Sequence, residues 1–493
     1  MLIGIDLGTT GLKAAAYDPD DGSCLAKASV RLPVQTDSEG RREQIPDDVM
    51  DCLVSAFASL REQTGARWAE VSGLGLAAQG GSTLIVERDS GQPLSPMYLW
   101  NDFRCFEHIA RIQKEHPPEF WRAFSMRDEP GAGLGRILWL QEKDPSLFDK
   151  QHRYVGAGEF VFHQLTGVWR QDACQALQSG CYDARQQSLS QAPLYLVGLD
   201  CSFFSPIRAG HSVEALGKQA AERFGLPAGI PVAGPYNDHE AGYVSVMHLS
   251  KRPLQCSLGT AWVGNFVLEH EFGQGSGFQF AVPAPTGSGN LVIQALQTGS
   301  LTWDWALEKF VGKDHQEALN SACETFRQGL LPSEDLTCLP WLNRPNPLGK
   351  GFGAGSFFGI SPTTSNEDFL RSVALGLVFE FARVFDPIHQ AGAIDSVVLC
   401  GGASRAAYFQ QLFAALFAPL PIFIPDSMGT RGSLYAFNPV VAQVQAQALT
   451  GGEFQHPEKL KELQNIYNDL YERLYRADPA GRPFSIESKE LTS

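Results

Sequence analysis

The chain has little that would tie it to a polyanion, a membrane or an oxidising compartment. Lysine and arginine total 39 against 54 aspartates and glutamates, a formal net charge of -15. Nucleic acids and anionic lipid surfaces reward clustered basic residues, so neither is an expected partner. A small anionic substrate needs only a local positive pocket and is not excluded. The most apolar stretch, Leu412 to Ile424, is too short to cross a bilayer and carries Pro419 and Pro421. Ten cysteines are scattered with no CxxC pair and no His-Cys cluster, which points to reduced, buried thiols rather than a zinc site or a disulfide frame. The opening MLIGIDLG reads as a strand and lacks the basic region of a signal peptide. A cytoplasmic location is therefore expected, and no low-complexity linker interrupts the chain.

What is present is a length of 493 residues with 44% apolar and 19% charged side chains. That is too much for one ordinary core, so two large domains are expected, with residues 1–248 in the first and 249–493 in the second. Leu2 to Asp6 and Leu12 to Tyr17 read as strands joined by LGTTG. A Gly-bounded turn with two hydroxyl side chains offers N–H and O–H donors to a phosphate. Thr9, Thr10 and Lys13 are the candidates, and Asp6 at the strand end could hold a magnesium ion. A plain hairpin turn explains the same residues. Beyond residue 250 the pattern returns as Leu258-Gly259-Thr260 between two further strands. This internal echo suggests two related halves facing one ligand.

Near the midpoint an apolar run, Gly229 to Gly234, leads into PYNDHEAGYVS. An acidic residue after a buried strand can point into a cleft as a general base, which makes Asp238 the candidate. The alternative is that Asp238 caps the following helix. Val71 to Ala77 is a further buried strand, ending at Gln79-Gly80-Gly81-Ser82, where two glycines would let a ligand approach the backbone. Trp100-Asn101-Asp102 combines an apolar face with donors and acceptors, as a polyol site requires; packing alone would also account for the tryptophan. Helices are expected over Asp47–Gln63, 134–142, 160–165, 215–224, 301–310 and 369–389, and an amphipathic one over 459–475. Ser396 to Cys400 opens onto Gly401-Gly402-Ala403-Ser404, a strand-glycine-helix unit suited to nucleotide contact. A Gly-aromatic loop spans 351–359. Residues 172–190 are polar and turn-rich and resist assignment.

The motifs GIDLGTTGLKA, MYLWNDFRC, PVAGPYND, CSLGTA, GSFFGIS and VVLCGGASRAAYFQQ, in this order, resemble those of the FGGY carbohydrate kinases over essentially the full length, and most of all the xylulokinase branch. The resemblance implies an α/β protein of two ribonuclease-H-like, actin-like ATPase domains with ATP, Mg2+ and a sugar or polyol in the cleft between them. It implies Asp238 as catalytic base, Asp6 beside the metal, and Thr9, Thr10, Lys13, Thr260, Gly299, Gly402 and Ala403 at the nucleotide. The sugar side would comprise Gln79, Gly80, Gly81, Trp100, Asn101, Asp102 and His239. A homodimer is compatible with it.

The chain departs from the xylulokinase pattern where Gln-Met-His-Gly is replaced by Gln79-Gly80-Gly81-Ser82, which would leave room for a different sugar head group. The Arg-Glu pair of glycerol kinases is missing there too. Pro235-Tyr236-Asn237 replaces a run of glycines, and Arg136 stands for a lysine. The expected reaction is ATP-dependent phosphorylation of a small sugar, a pentulose such as D-xylulose foremost. A kinase for another ketose, alditol or sugar acid, or a non-catalytic nucleotide-binding sensor, are the alternatives.

Overall fold

The computed structural model describes residues 1–268, 280–285, 287–296, 298–342, 355–425, 429–449 and 454–475. Two sheets carry the architecture. In the first, Leu2–Leu7, Gly11–Tyr17 and Cys24–Arg31 form an antiparallel meander, and Gly73–Ala78 then Pro231–Asn237 extend it in parallel from Leu2–Leu7. In the second, Pro253–Leu258, Trp262–Leu268 and Asn290–Ala295 repeat the meander, and Ser396–Cys400 then Ile422–Pro425 extend it in parallel. The same strand order, three-two-one-four-five, thus occurs twice, with short strands added at the edges. This is the ribonuclease-H-like arrangement, doubled as in actin-like ATPases, and it accounts for the repeated Leu-Gly-Thr turn.

Helices cover the sheets for local reasons. Pro46–Thr64 starts with proline in its first turn, followed by Asp47 and Asp48, where a fixed φ and negative charge both favour a helix start. It buries Val49, Leu53, Ala56, Phe57 and Leu60, each worth about 1.5–3 kcal/mol where aliphatic or aromatic burial is complete. The long helix Asn366–Gln390 begins with a capping box: Ser365 Oγ accepts from Asp368 N and Asp368 Oδ2 accepts from Ser365 N.

A separate five-stranded sheet is built from Gln35–Thr36, Arg42–Gln44, Met97–Tyr98, Thr83–Glu87 and His152–Gly156. It grows directly out of the strand Gly73–Ala78 and carries the Trp100 loop. Residues 430–434 return to the first sheet before Ala446–Ala448 rejoins the second. A Cβ on Gly4 would stand 1.9 Å from Thr430 O, and one on Gly75 would stand 2.2 Å from Ser433 O. Both glycines lie in strands because another backbone passes at contact distance over them.

Two sequence expectations change, and one unassigned stretch gains a structure. The helix expected over 215–224 is the edge strand Val213–Ala215 followed by helix Lys218–Phe224, because Val213 pairs with Ala233. The strand expected over Gly229 to Gly234 is Pro231–Asn237; it runs past Pro235 by a register shift between Ala233 and Tyr236 that absorbs the missing N–H. Residues 172–190 form helix Ala173–Gln178 and the small hairpin Tyr182–Asp183 with Ser188–Leu189. The start of the Gly-aromatic loop, 351–354, and Gln297 lie outside the described residues. Among the described residues no helix is long and apolar enough to cross a membrane.

Candidate active site

Sheet register brings the candidate residues together. Leu7 pairs with Ala78, and Ala78 with Asn237, so Asp6, Gln79 and Asp238 all leave the sheet at one edge. Ligands of parallel α/β sheets bind beyond the carboxyl ends of strands. Asp6 is half-buried and sits opposite Lys13 across the hairpin. Burial pushes its carboxyl up to about 6, with Lys13 opposing the shift and Asp238 adding to it. Among the described residues nothing hydrogen-bonds to the Asp6 carboxylate, although Gly429 packs against its Oδ2, where a Cβ would stand 2.3 Å away.

Asp238 is the first residue of helix Asp238–Val246, and the cap is Asn237, whose Oδ1 accepts from His239 N at 3.0 Å. Asp238 Oδ1 shares that same N–H at 3.0 Å. Capping therefore rests on Asn237, and the half-buried Asp238 carboxylate keeps its second oxygen for other work. His239 Nδ1 lies 3.3 Å from Asn265 Nδ2, a contact that ties this helix to the second sheet.

The phosphate-type turn and the sugar-side wall are joined. Trp100 Nε1 donates to Thr9 Oγ1 at 3.2 Å, and Gln44 Nε2 donates to Thr9 O at 2.7 Å. Thr10 and Lys13 are exposed at the turn. Arg136, almost fully buried, donates to Gly81 O, Thr83 Oγ1, Tyr98 O and Leu99 O, and so fixes both the glycine turn and the strand entering Trp100. Neither Gln44 nor this use of Arg136 follows from sequence pattern; only the small sheet, with its non-local pairings, creates it.

Other expected sugar contacts are placed differently. Asp102 is buried and turned to Arg104 and to Arg42 N, with Arg104 also paired to Glu43. Its carboxylate holds the loop rather than facing the cleft. Gln79 is buried too, its Oε1 accepting from Ser82 Oγ at 3.0 Å and its Nε2 reaching Gln44 at 3.4 Å. The room expected over Gly80 and Gly81 is filled: a Cβ on Gly80 would stand 2.4 Å from Asn237 Nδ2 and 2.6 Å from Gln178 Oε1. Asn101 is buried with its Oδ1 unpartnered among the described residues.

Behind Gly80 a small cleft, with room for about one water, is lined by Glu159, Asp172, Gln175 and Tyr236. Burial pushes Glu159 and Glu240 each up to about 8 and Asp172 up to about 6.

On the second sheet, Ser300 N donates to Gly259 O at 3.2 Å and Leu301 N to Thr260 O at 3.3 Å, which docks helix Ser300–Phe310 on the repeated turn. A Cβ on Gly299 would stand 2.7 Å from Thr260 O, so this position must be glycine for the docking to occur. Thr260 is exposed beside it. Gly402 is exposed with nothing within 4 Å of a Cβ, and Ala403 begins a short helical turn.

Two lobes of this fold, each with a Gly-Thr turn, make this a protein of the actin-like ATPase class. Family models narrow this. The N-terminal domain of the FGGY family of carbohydrate kinases matches residues 1–245, and its C-terminal domain matches residues 297–437. The chain belongs to the FGGY family of carbohydrate kinases. It is 27% identical over 427 residues to the xylulose kinase of Escherichia coli strain K12, covering 84% of each chain. It is 20% identical over 440 residues to the gluconokinase of Bacillus subtilis strain 168, covering 86% of this chain and 84% of that one. The solved structure of xylulose kinase from Rhodospirillum rubrum superposes with a TM-score of 0.82 at 19% identity, over 96% of this chain and 99% of the other. The chain is a carbohydrate kinase, with ATP as phosphoryl donor and a small sugar as acceptor.

Proposed function

We propose that the acceptor is a pentulose, D-xylulose foremost, and that Asp238 is the base which activates its hydroxyl. The observation that carries the base assignment is the division of work at the helix start: Asn237 caps, and Asp238 stands beside Asp6 at the sheet edge with one carboxylate oxygen unpartnered among the described residues; the likeness to xylulose kinases supports the pentulose. The acceptor oxygen forms its bond to the γ-phosphorus as the bond to the β,γ-bridging oxygen breaks. The hydroxyl proton passes to Asp238, and ADP leaves. Positioning and charge stabilisation supply most of the catalysis in such in-line transfers.

The donor set fits Mg2+, which is typically held by one or two carboxylates together with substrate phosphates. Asp6 is a carboxylate without a hydrogen-bond partner among the described residues, and among those residues no group of three or more His, Cys, Asp or Glu forms a cage of its own. Bound there, the ion would neutralise charge on the phosphates. Thr9, Thr10 and Lys13 would receive the phosphates at the first turn. Thr260, Gly299, Gly402 and Ala403 would form the nucleotide wall. Trp100, Asn101 and His239 would line the sugar. The domain division at 248/249 falls in the turn between helix Asp238–Val246 and strand Pro253–Leu258. A cytoplasmic location agrees with ten free cysteines.

The test is sugar-dependent ADP release over a panel of ketoses, alditols and aldonates. D-xylulose is expected to give the highest kcat/KM. Release with an aldonate alone would move the substrate assignment to sugar acids, and no sugar-dependent release would leave a nucleotide-binding sensor.

A further inference from the structure

The glycine pair at 80–81 is not an opening. A Cβ on Gly80 would stand 2.6 Å from Gln178 Oε1 and 2.9 Å from its Nε2; one on Gly81, at φ +72°, would stand 3.1 Å from the same oxygen and 3.2 Å from Trp100 Cβ. The Gln178 carboxamide therefore lies over both glycines, between Trp100 and Asn237. Trp100 is the residue whose indole reaches Thr9, and Asn237 immediately precedes Asp238. Gln178 comes from the last turn of helix Ala173–Gln178, whose Gln175 also accepts from Gly81 N at 3.1 Å. Its Oε1 is buried and has no hydrogen-bond partner among the described residues. An orphaned buried acceptor costs about 1–3 kcal/mol, which a hydroxyl donor would relieve.

Resting on the kinase reading, we propose that Gln178 is the residue that sets sugar specificity, and that it selects a neutral polyhydroxy substrate, a ketose or alditol, over a sugar acid. A carboxamide offers one acceptor and two donors without charge, which suits hydroxyl and carbonyl groups. Its surroundings offer a carboxylate ligand no spare guanidinium among the described residues. Glu159 and Asp172 line the cleft behind Gly80, and Arg136, the guanidinium touching Gly81, spends its hydrogen bonds on Gly81, Thr83, Tyr98 and Leu99. A buried anion without a paired cation is strongly disfavoured.

The experiment compares wild type, Gln178→Met, which keeps the volume, and Gln178→Ala, should the first not fold. Kinetics with D-xylulose, xylitol and D-gluconate are combined with calorimetric titration of D-xylulose in the absence of ATP. Wild type is expected to prefer a neutral sugar. The variants should lose about tenfold or more in kcat/KM for it, through the sugar KM, since sites built to hydrogen-bond a substrate hydroxyl discriminate steeply. The KM for ATP should not move, and the Tm of Gln178→Met should be no lower than that of wild type, since the orphaned acceptor is removed. Unchanged ratios among the three sugars, equal D-xylulose binding by wild type and variant, no binding by wild type, or D-gluconate as the best wild-type substrate would overturn the proposal. Absence of sugar-dependent ADP release from a wild type that still binds D-xylulose through Gln178 would overturn only the kinase reading.

Discussion

The two halves of this molecule carry the same turn on the same sheet and differ in what they place beside it. In the first, Asp6 and Lys13 face each other across the hairpin that holds Gly8-Thr9-Thr10. In the second, the corresponding pair across Gly259-Thr260-Ala261 is Ser257 and Val263. The backbone that can cradle a phosphate is duplicated, but the charges that can steady phosphoryl transfer are not. The neighbouring strand ends differ in the same sense. Asn237 ends the fifth strand of the first sheet and Asp238 follows it, whereas the fourth strand of the second is followed by Gly401, packed against the Leu258 backbone, and by Gly402, which meets open space. On the proposed reading the first lobe carries the chemistry and the second receives the nucleotide.

The comparison breaks most visibly at Asp238. Asp238→Asn should lower kcat by roughly 10²-fold or more, about 2.7 kcal/mol of barrier. The Tm and the ATP affinity should stay near wild type, because Asn237 supplies the cap. A rate within a few-fold of wild type would show that this carboxylate is not the base.

That outcome bears on what the sequence could disclose. The doubled turn was legible because Leu-Gly-Thr recurs between alternating apolar runs, and the helix expected from Asp47 starts at Pro46, whereas the one expected from 369 starts three residues earlier at Asn366. Asp238 was singled out as base or cap, but the two roles could not be separated, since Asn and Asp cap about equally well and only geometry assigns the cap to Asn237. Gln79 and Asp102 looked like ligand contacts because polar residues at strand ends usually are. Their partners, Gln44, Ser82, Arg42 and Arg104, come from strands and loops whose pairing is non-local. Gln178 sat in the stretch 172–190 that carries no clear periodicity, and nothing in its own sequence says that it covers Gly80.

A second contrast concerns glycines. Gly4→Ala drives a Cβ to 1.9 Å from Thr430 O and should cost about 1–3 kcal/mol or more, as overpacking against backbone does. Gly402→Ala meets nothing within 4 Å, so its Tm should be unchanged and any effect confined to the nucleotide KM. Denaturant unfolding of both variants checks this; equal destabilisation would mean that the return of residues 430–434 to the first sheet is not tightly packed.

The smallest effect expected is on pH dependence. Glu159 is raised above its ordinary value to about 8, so its burial is tolerated in full at low pH, where both folded and unfolded forms are protonated. Stability is lost as pH rises from the unfolded pKa through about 8. Glu159→Gln keeps an oxygen for Gly156 N and removes the ionisation, so its Tm should match wild type at pH 4 and exceed it by a few degrees at pH 9. A Tm difference independent of pH would assign the effect to packing instead.

The division of labour between the turns is tested most directly by giving the first turn the second turn's residues. ADP release with the preferred sugar is measured for Asp6→Ser/Lys13→Val and, as the counterpart, for Ser257→Ala. The first should fall by about 10²-fold or more, as loss of transition-state charge stabilisation does, while the second stays within a few-fold of wild type. Comparable losses in both, or near-wild-type turnover by the double variant, would contradict the assignment of the chemistry to the first lobe.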